Sequence, residues 1–193
     1  MSPEIGEKLK RVKFVYFDVG NVFYSFEGGL EKLSRMYNVP SHKIISFWRS
    51  KDDDMCRGKL DPQDFWYGLK KEFGYTGEDI NFIHFWIKHF KKIKLGHDLA
   101  NTLSRDFSLG LLTNAYPNVI ETVLHTELMP KIKWASIVKS CDSGFIKPEK
   151  ELFDTALKKT GFMAHEVMLI DDIEKNCEKA KEFGWKGLVF SLK

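Results

Sequence analysis

Five short apolar runs stand out along the chain, at residues 14–17, 109–112, 135–138, 167–170 and 188–190. They are rich in β-branched and aromatic residues and show no alternation, the pattern of strands buried on both faces of a parallel sheet. Helix-period segments lie between the last four. Pro148 is placed to open a helix over 149–159 at its first position, and Gly161 to follow it; a second helix over 176–183 stops at Gly184. Strand and helix therefore alternate from about residue 97 onward, which predicts a doubly wound α/β core with the first strand at its centre.

Between the first two runs about ninety residues intervene, far more than a crossover needs. Residues 25–96 carry helix-period patterns at 30–37, 43–55, 62–73 and 78–90, broken at Val39-Pro40, Gly58 and the stretch from Gly74 to Gly77. The expected organisation is a core formed by residues 1–24 and 97–193 with an all-helical insert at 25–96. The insert holds 13 of the 27 aromatic residues and all of the formal net charge of +3.

Length and composition narrow the options. A chain of 193 residues with 43% apolar and 30% charged residues has the make-up of a soluble globular unit. Its charge is too balanced to argue for nucleic acid. Cys56, Cys141 and Cys177 are odd in number and far apart, so no disulfide framework or thiolate zinc site is readable and a reducing compartment is expected. The opening MSPEIGEKLKRVK lacks the apolar run of a secretory signal, and no stretch approaches the ~20 apolar residues of a membrane span. A cytoplasmic location is expected.

In an open parallel sheet the ligand crevice lies beyond the carboxyl ends of the strands. Polar residues stand at those ends: Asp18-Val19-Gly20-Asn21-Val22 after the first run, Thr113-Asn114 after the second, Lys147-Pro148 after the third, and Asp171-Asp172 at the end of the fourth. Singly, each has a local explanation as a turn or capping residue. Lys147 is the exception, because a cation before a helix start gains nothing unless an anion is nearby. Together they supply a carboxylate able to attack, a hydroxyl and an amide to hold an anionic oxygen, a fixed cation and a carboxylate pair for a hard metal ion. That is the equipment of phosphoryl transfer, and oxygen-only donors point to magnesium.

The segments FVYFDVGNV, LGLLTN, GFIKPEKELF and VMLIDDIEKN resemble, in order, the four motifs of the haloacid dehalogenase superfamily, and the insert resembles its helical cap. The resemblance implies a Rossmann-like core and a phosphatase-like branch of the family. It implies Asp18 as the nucleophile, Thr113 and Lys147 as holders of the phosphoryl group with Asn114 beside them, and a phosphate cradle from the amides of Val19 and Gly20. It also implies magnesium bound by Asp18, Asp172 and the Gly20 carbonyl, with Asp171 in support. Arg57 and Lys59, in a break between cap helices, are expected to reach an anionic substrate.

One position departs from the pattern: family phosphatases mostly carry a second aspartate two residues after the nucleophile, and here Gly20 stands there. A general acid or base is worth ~100- to 10,000-fold, so release of an unactivated alkoxide should suffer. A small phosphorylated metabolite with an easy leaving group, a sugar phosphate first, is the expected substrate. The alternatives are a weakly catalytic phosphate- or partner-binding relative, and dehalogenase or phosphonate-cleaving chemistry. Neither nucleic acid nor a membrane is expected as a partner. The face formed by Phe82, Phe85, Trp86 and Phe90 is expected to pack in the insert's core, and the lysines from 88 to 94 to form a solvated face.

Overall fold

In the computed structural model, which describes residues 7–192, the five apolar runs form one parallel sheet. Its strands are β1 (Phe14–Phe17), β4 (Ser108–Thr113), β5 (Ser136–Lys139), β6 (Val167–Asp171) and β7 (Lys186–Val189), in the order β5-β4-β1-β6-β7. The first strand is central, as expected. The last strand begins and ends slightly earlier than its apolar run, because Met168 to Asp171 pair with Lys186 to Val189. Residues 1–6 of the opening segment lie outside the described residues.

Alternation across the pleat divides the core in two. Val15 and Phe17 of β1 pack on one face with Leu109, Leu111, Met168 and Ile170, while Phe14 and Tyr16 pack on the other with Leu112, Val138, Val167 and Leu169. The first face is covered by α5 (Lys94–Leu103) and α6 (Val119–Leu124), the second by α8 (Lys150–Thr160) and α9 (Glu174–Glu182), with the four-residue α7 (Ser140–Ser143) between β5 and α8. Tyr16 anchors the second face: its hydroxyl lies 2.8 Å from Ser136 Oγ and 2.9 Å from the Ala156 carbonyl oxygen.

Four helices lie between β1 and α5: α1 (Glu27–Tyr37), α2 (Ser41–Cys56), α3 (Pro62–Phe73) and α4 (Phe82–Ile87). The third matches its predicted limits because both ends are chemically marked. Asp61 Oδ1 accepts from the Gln63 amide, Pro62 opens the first turn, and Gly74 takes the left-handed conformation at the end. The predicted fourth helix over 78–90 shrinks to six residues, since Asn81 caps His84 and the chain turns out again after Ile87. A short antiparallel ribbon of β2 (Tyr24–Ser25) and β3 (Lys91–Lys92) closes the base of these helices. Helix α5 begins at Lys94, so the expected boundary at 96/97 falls inside it.

Pro148 also departs from expectation. Glu149 is extended, with φ −67° and ψ 137°, so α8 starts at Lys150 and Pro148 stays in the connecting loop. The apolar cluster on the first sheet face continues without a break into the insert through Phe23, Leu33, Phe65, Trp66 and Phe82. The three cysteines are free thiols, and among the described residues no helix is long and apolar enough to cross a membrane.

Two glycines in helices make opposite demands. A Cβ on Gly96 would lie 1.9 Å from the Val22 carbonyl oxygen, in the turn that follows Asp18, whereas one on Gly68 would meet only Phe47 at 3.6 Å. Gly96→Ala should therefore cost about 1–3 kcal/mol by overpacking, and Gly68→Ala should be neutral or stabilising by up to ~1 kcal/mol. Urea denaturation of both variants checks this, and equal effects would contradict it.

Candidate active site

The register of the central strands puts the polar residues side by side. Phe17 pairs with Leu111 on one side and Ile170 on the other, so the next residue, Asp18, emerges level with the ends of β4 and β6, beside Thr113 and Asp171. The Asp18 amide continues the ladder by donating to the Ile170 carbonyl at 2.8 Å. Chain separations of about a hundred residues or more thus collapse to contact.

Lys147 is the centre of the arrangement. Its Nζ lies 2.8 Å from Asp18 Oδ1 and 2.6 Å from Asp171 Oδ2, with the Lys147 side chain 1% exposed. The loop that delivers it is fixed by Asn114, whose Oδ1 accepts from the Lys147 amide at 2.7 Å and whose Nδ2 donates to the Lys147 carbonyl at 3.2 Å. Asn114 lines the cavity, yet its amide is largely spent on holding this loop, where the expectation was phosphate binding. Thr113 Oγ1 has only a long 3.5 Å contact to the Asn114 carbonyl, so its hydroxyl is free to serve a ligand.

Asp171 is fully buried and saturated. Besides Lys147 it accepts from the Ile173 amide at 2.8 Å and from Asn176 Nδ2 at 3.0 and 3.1 Å. Asn176 was not singled out as a site residue; the signal was its place in the first turn of the helix after Asp171-Asp172, where a side chain points back at the strand end. Asp172 accepts from Asn21 Nδ2 at 3.1 Å. Oxygens of Asp18, Asp171 and Asp172 lie within 4.8 Å of one another.

Three carboxylates facing one ammonium leave a deficit of positive charge. Burial pushes the Asp18 carboxyl up to about 6; the Lys147 charge works against this, and the Asp171 charge adds to it. Asp172 is raised by burial and then by Asp171. Lys147 is held above its ordinary value: burial favours losing the proton, but the charges of Asp18 and Asp171 outweigh it. An all-oxygen set so short of positive charge fits a hard divalent cation.

Above the strand ends lies a cavity of about 240 Å³, reached by Asp18, Gly20, Thr113, Lys147 and Asp172. Its far wall comes from the insert and from the loop after β4. There Tyr116 donates to Asp52 Oδ1 at 2.5 Å and receives a bond from Trp48 Nε1 at 2.6 Å. Trp86 and Phe90, expected only as packing residues, line the cavity as well.

Two expected ligand contacts, Arg57 and Lys59, are placed differently. Arg57 does not line the cavity: its guanidinium bonds Glu149 at 2.6 and 3.0 Å, Asp53 at 2.9 Å and the Gly144 carbonyl at 2.9 Å, tying the end of α2 to the loop before α8. Lys59 is exposed and also outside the lining. The Val19 side chain is sunk in the apolar core and Gly20 reaches the cavity, which leaves the expected backbone role of Val19 as it was. Spacing gave Arg57 a loop position; it could not show that Glu149 claims it.

The chain belongs to the haloacid dehalogenase-like hydrolase family, whose model matches residues 29–190. No curated protein matches it. Among similar solved structures is a haloacid dehalogenase family enzyme from Bacteroides thetaiotaomicron, 20% identical over 93% of this chain and 94% of that one, with a TM-score of 0.79. The same enzyme in complex with magnesium and inorganic phosphate gives 20% identity, the same coverage and a TM-score of 0.73. An L-2-haloacid dehalogenase from Xanthobacter autotrophicus with chloropropionic acid covalently bound is 15% identical over 94% of this chain and 79% of that one, with a TM-score of 0.67. These likenesses show the fold.

The raised Asp18 carboxyl has a consequence for stability. Between about pH 4, where it titrates in the unfolded chain, and about pH 6, where it titrates when folded, the native state binds the extra proton, so this group's contribution to stability is lost as pH rises. In the presence of chelator, Asp18→Asn should raise Tm relative to wild type by more at pH 7.5 than at pH 4.5. A pH-independent difference in thermal melts would contradict the assignment.

Proposed function

We propose that this protein is a magnesium-dependent phosphatase that hydrolyses a small phosphorylated metabolite through an aspartyl-phosphate intermediate. The observation that carries the reading is the buried Lys147 ammonium between Asp18 and Asp171, with Asp172 alongside and a cavity opening above them. A cavity of about 240 Å³ is below the ~300–1,000 Å³ of sites for drug-sized ligands, which supports a small substrate. A cytoplasmic setting belongs to the same reading, supported by three free cysteines.

In this reading Asp18 attacks phosphorus, the bond to the substrate's alkoxide breaks, and water then cleaves the acyl phosphate to return Asp18 and release phosphate. Lys147 pairs with a phosphoryl oxygen and keeps Asp18 oriented, while the Thr113 hydroxyl and the Gly20 amide hold the remaining oxygens. Asp18 and Asp172 would hold magnesium with the Gly20 carbonyl, and Asp171 would position Lys147 and the strand end. Magnesium, when bound, supplies positive charge for the phosphoryl oxygens and for the buried carboxylates. The helical insert acts as a cap, limiting water and shaping the space for the alcohol.

A second reading, a phosphate-binding relative with weak turnover, has its own observation. A Cβ at Gly20 would lie 3.3 Å from Phe26 Cε1, so an aromatic ring crowds the space in which family phosphatases carry their proton donor. A panel of phosphate esters with magnesium or with chelator separates the readings. Turnover lost with chelator and in Asp18→Asn is expected; silence on every ester supports the binding protein, and halide release without metal supports a dehalogenase.

The crowding also gives a quantitative expectation. Gly20→Asp combined with Phe26→Leu should hydrolyse an alkyl phosphate up to ~100-fold faster than the parent, and an aryl phosphate much less so, because phenolate departs without a proton. Equal acceleration of both esters in steady-state assays would remove leaving-group protonation as the explanation.

A further inference from the structure

The alcohol side of the cavity has a chemistry of its own. Six aromatic side chains line it in a connected chain of contacts. Tyr24 stacks on Phe90 with centroids 4.6 Å apart, Phe90 meets Trp86 at 6.1 Å and Phe26 at 6.4 Å, and Phe26 meets Trp48 at 6.2 Å. The indole of Trp48 then donates to Tyr116. At the end of this wall sits the half-buried Asp52, whose Oδ1 is fixed by Tyr116 and whose other oxygen accepts no hydrogen bond among the described residues.

The charges point the same way. Among the described residues lining the cavity Lys147 alone is basic, and it sits at the phosphate end between Asp18 and Asp171. Arg57, itself outside the lining, is taken up by Asp53 and Glu149, so it does not offset Asp52. A second anionic group on the substrate would face Asp52 unpaired. The amides of Asn21 and Asn114 are engaged with Asp172 and the Lys147 loop, so the carboxylate of Asp52 is left as a free polar group beside the ring faces.

We propose that the cavity selects a phosphate ester whose alcohol carries an alkylated ammonium group, held against the aromatic wall and the free oxygen of Asp52. Aromatic faces attract such a cation and desolvate it at little cost, because it has few or no N–H donors to satisfy. The same group answers the absence of an acid at Gly20. A cationic nitrogen near the hydroxyl withdraws electron density and makes the alkoxide a better leaving group, so departure relies less on a proton donor. Hydrolysis breaks the phosphorus–oxygen bond, places the water oxygen on phosphorus and a water proton on the alcohol, and leaves the ammonium unchanged.

This inference rests on the phosphatase reading, and its test separates the two. With magnesium-loaded enzyme, kcat/KM for choline phosphate is compared with that for its neutral carbon isostere, neohexyl phosphate, and with that for phosphoglycolate. The ammonium ester should be preferred ~10-fold or more over the isostere, with phosphoglycolate slowest. Asp52→Asn and, as a second variant, Trp48→Leu should each pull the choline-to-neohexyl ratio towards one, with thermal melts confirming that the variants are folded. Equal rates on the charged and neutral esters would overturn the ammonium proposal and leave the phosphatase standing. Hydrolysis of none of the esters would overturn both. A ratio unchanged in both folded variants would remove this wall as the selecting element.

Discussion

A lysine ammonium buried between two carboxylates, with a third close by, is the constraint around which the site is built. Removing a charge from water costs several kcal/mol, and the cost is recovered only where opposite charges and hydrogen bonds surround it. Lys147 therefore requires Asp18 and Asp171 to stand at adjacent strand ends, which requires β1 beside β6 in parallel register. The hydrogen bonds between Asn114 and the Lys147 backbone, and from Asn176 to Asp171, hold the two flanks of the pair. Because the carboxylates outnumber the ammonium, the cluster is electrostatically incomplete in a way that fits a hard divalent cation.

The helical insert is joined to this centre by specific polar contacts as well as by apolar burial. Ser140 bridges the two, accepting from the Ala115 amide at 3.1 Å while donating to the Cys56 carbonyl at 2.5 Å. Arg57 and Glu149 add an ion pair on the outside, and Tyr116 reaches from the loop after β4 to Asp52 in α2. The residues that would hold phosphate thus sit at strand ends and in the loops beyond them, and those that would judge the alcohol sit in the insert and in the loop after β4. Strand ends are pinned by sheet pairing, so chemistry placed there tolerates variation in the insert.

How much of this was legible in the chain follows from the range of each interaction. The five strands could be read because burial on both faces forces uninterrupted apolar runs, and α3 could be read because Asp61, Pro62 and Gly74 mark its ends locally. Asp18, Thr113 and the Asp171 pair were legible because strand ends are where an α/β sheet exposes polar residues, and Lys147 because a cation ahead of a helix start calls for an anion nearby. The β2–β3 ribbon escaped notice, being two residues per strand and half lysine. Arg57 was misjudged because its partner Glu149 lies 92 positions away, and Asp52, Tyr116 and Trp48 were missed because their network joins distant segments with no motif in common. Local chemistry leaves marks in sequence; pairings across the fold do not, unless a motif repeats them.

The central claim is that the strand ends form a carboxylate socket one divalent cation short of balance. Titration calorimetry of magnesium into the wild-type protein and Asp172→Asn, repeated at pH 6 and pH 7.5 in buffers of different ionisation enthalpy, tests it most directly. One site per chain is expected, lost or strongly weakened in Asp172→Asn, with protons released on binding at pH 6, where Asp18 is partly protonated, and little release at pH 7.5. Magnesium binding of equal strength in Asp172→Asn, or no binding to the wild type, would contradict it.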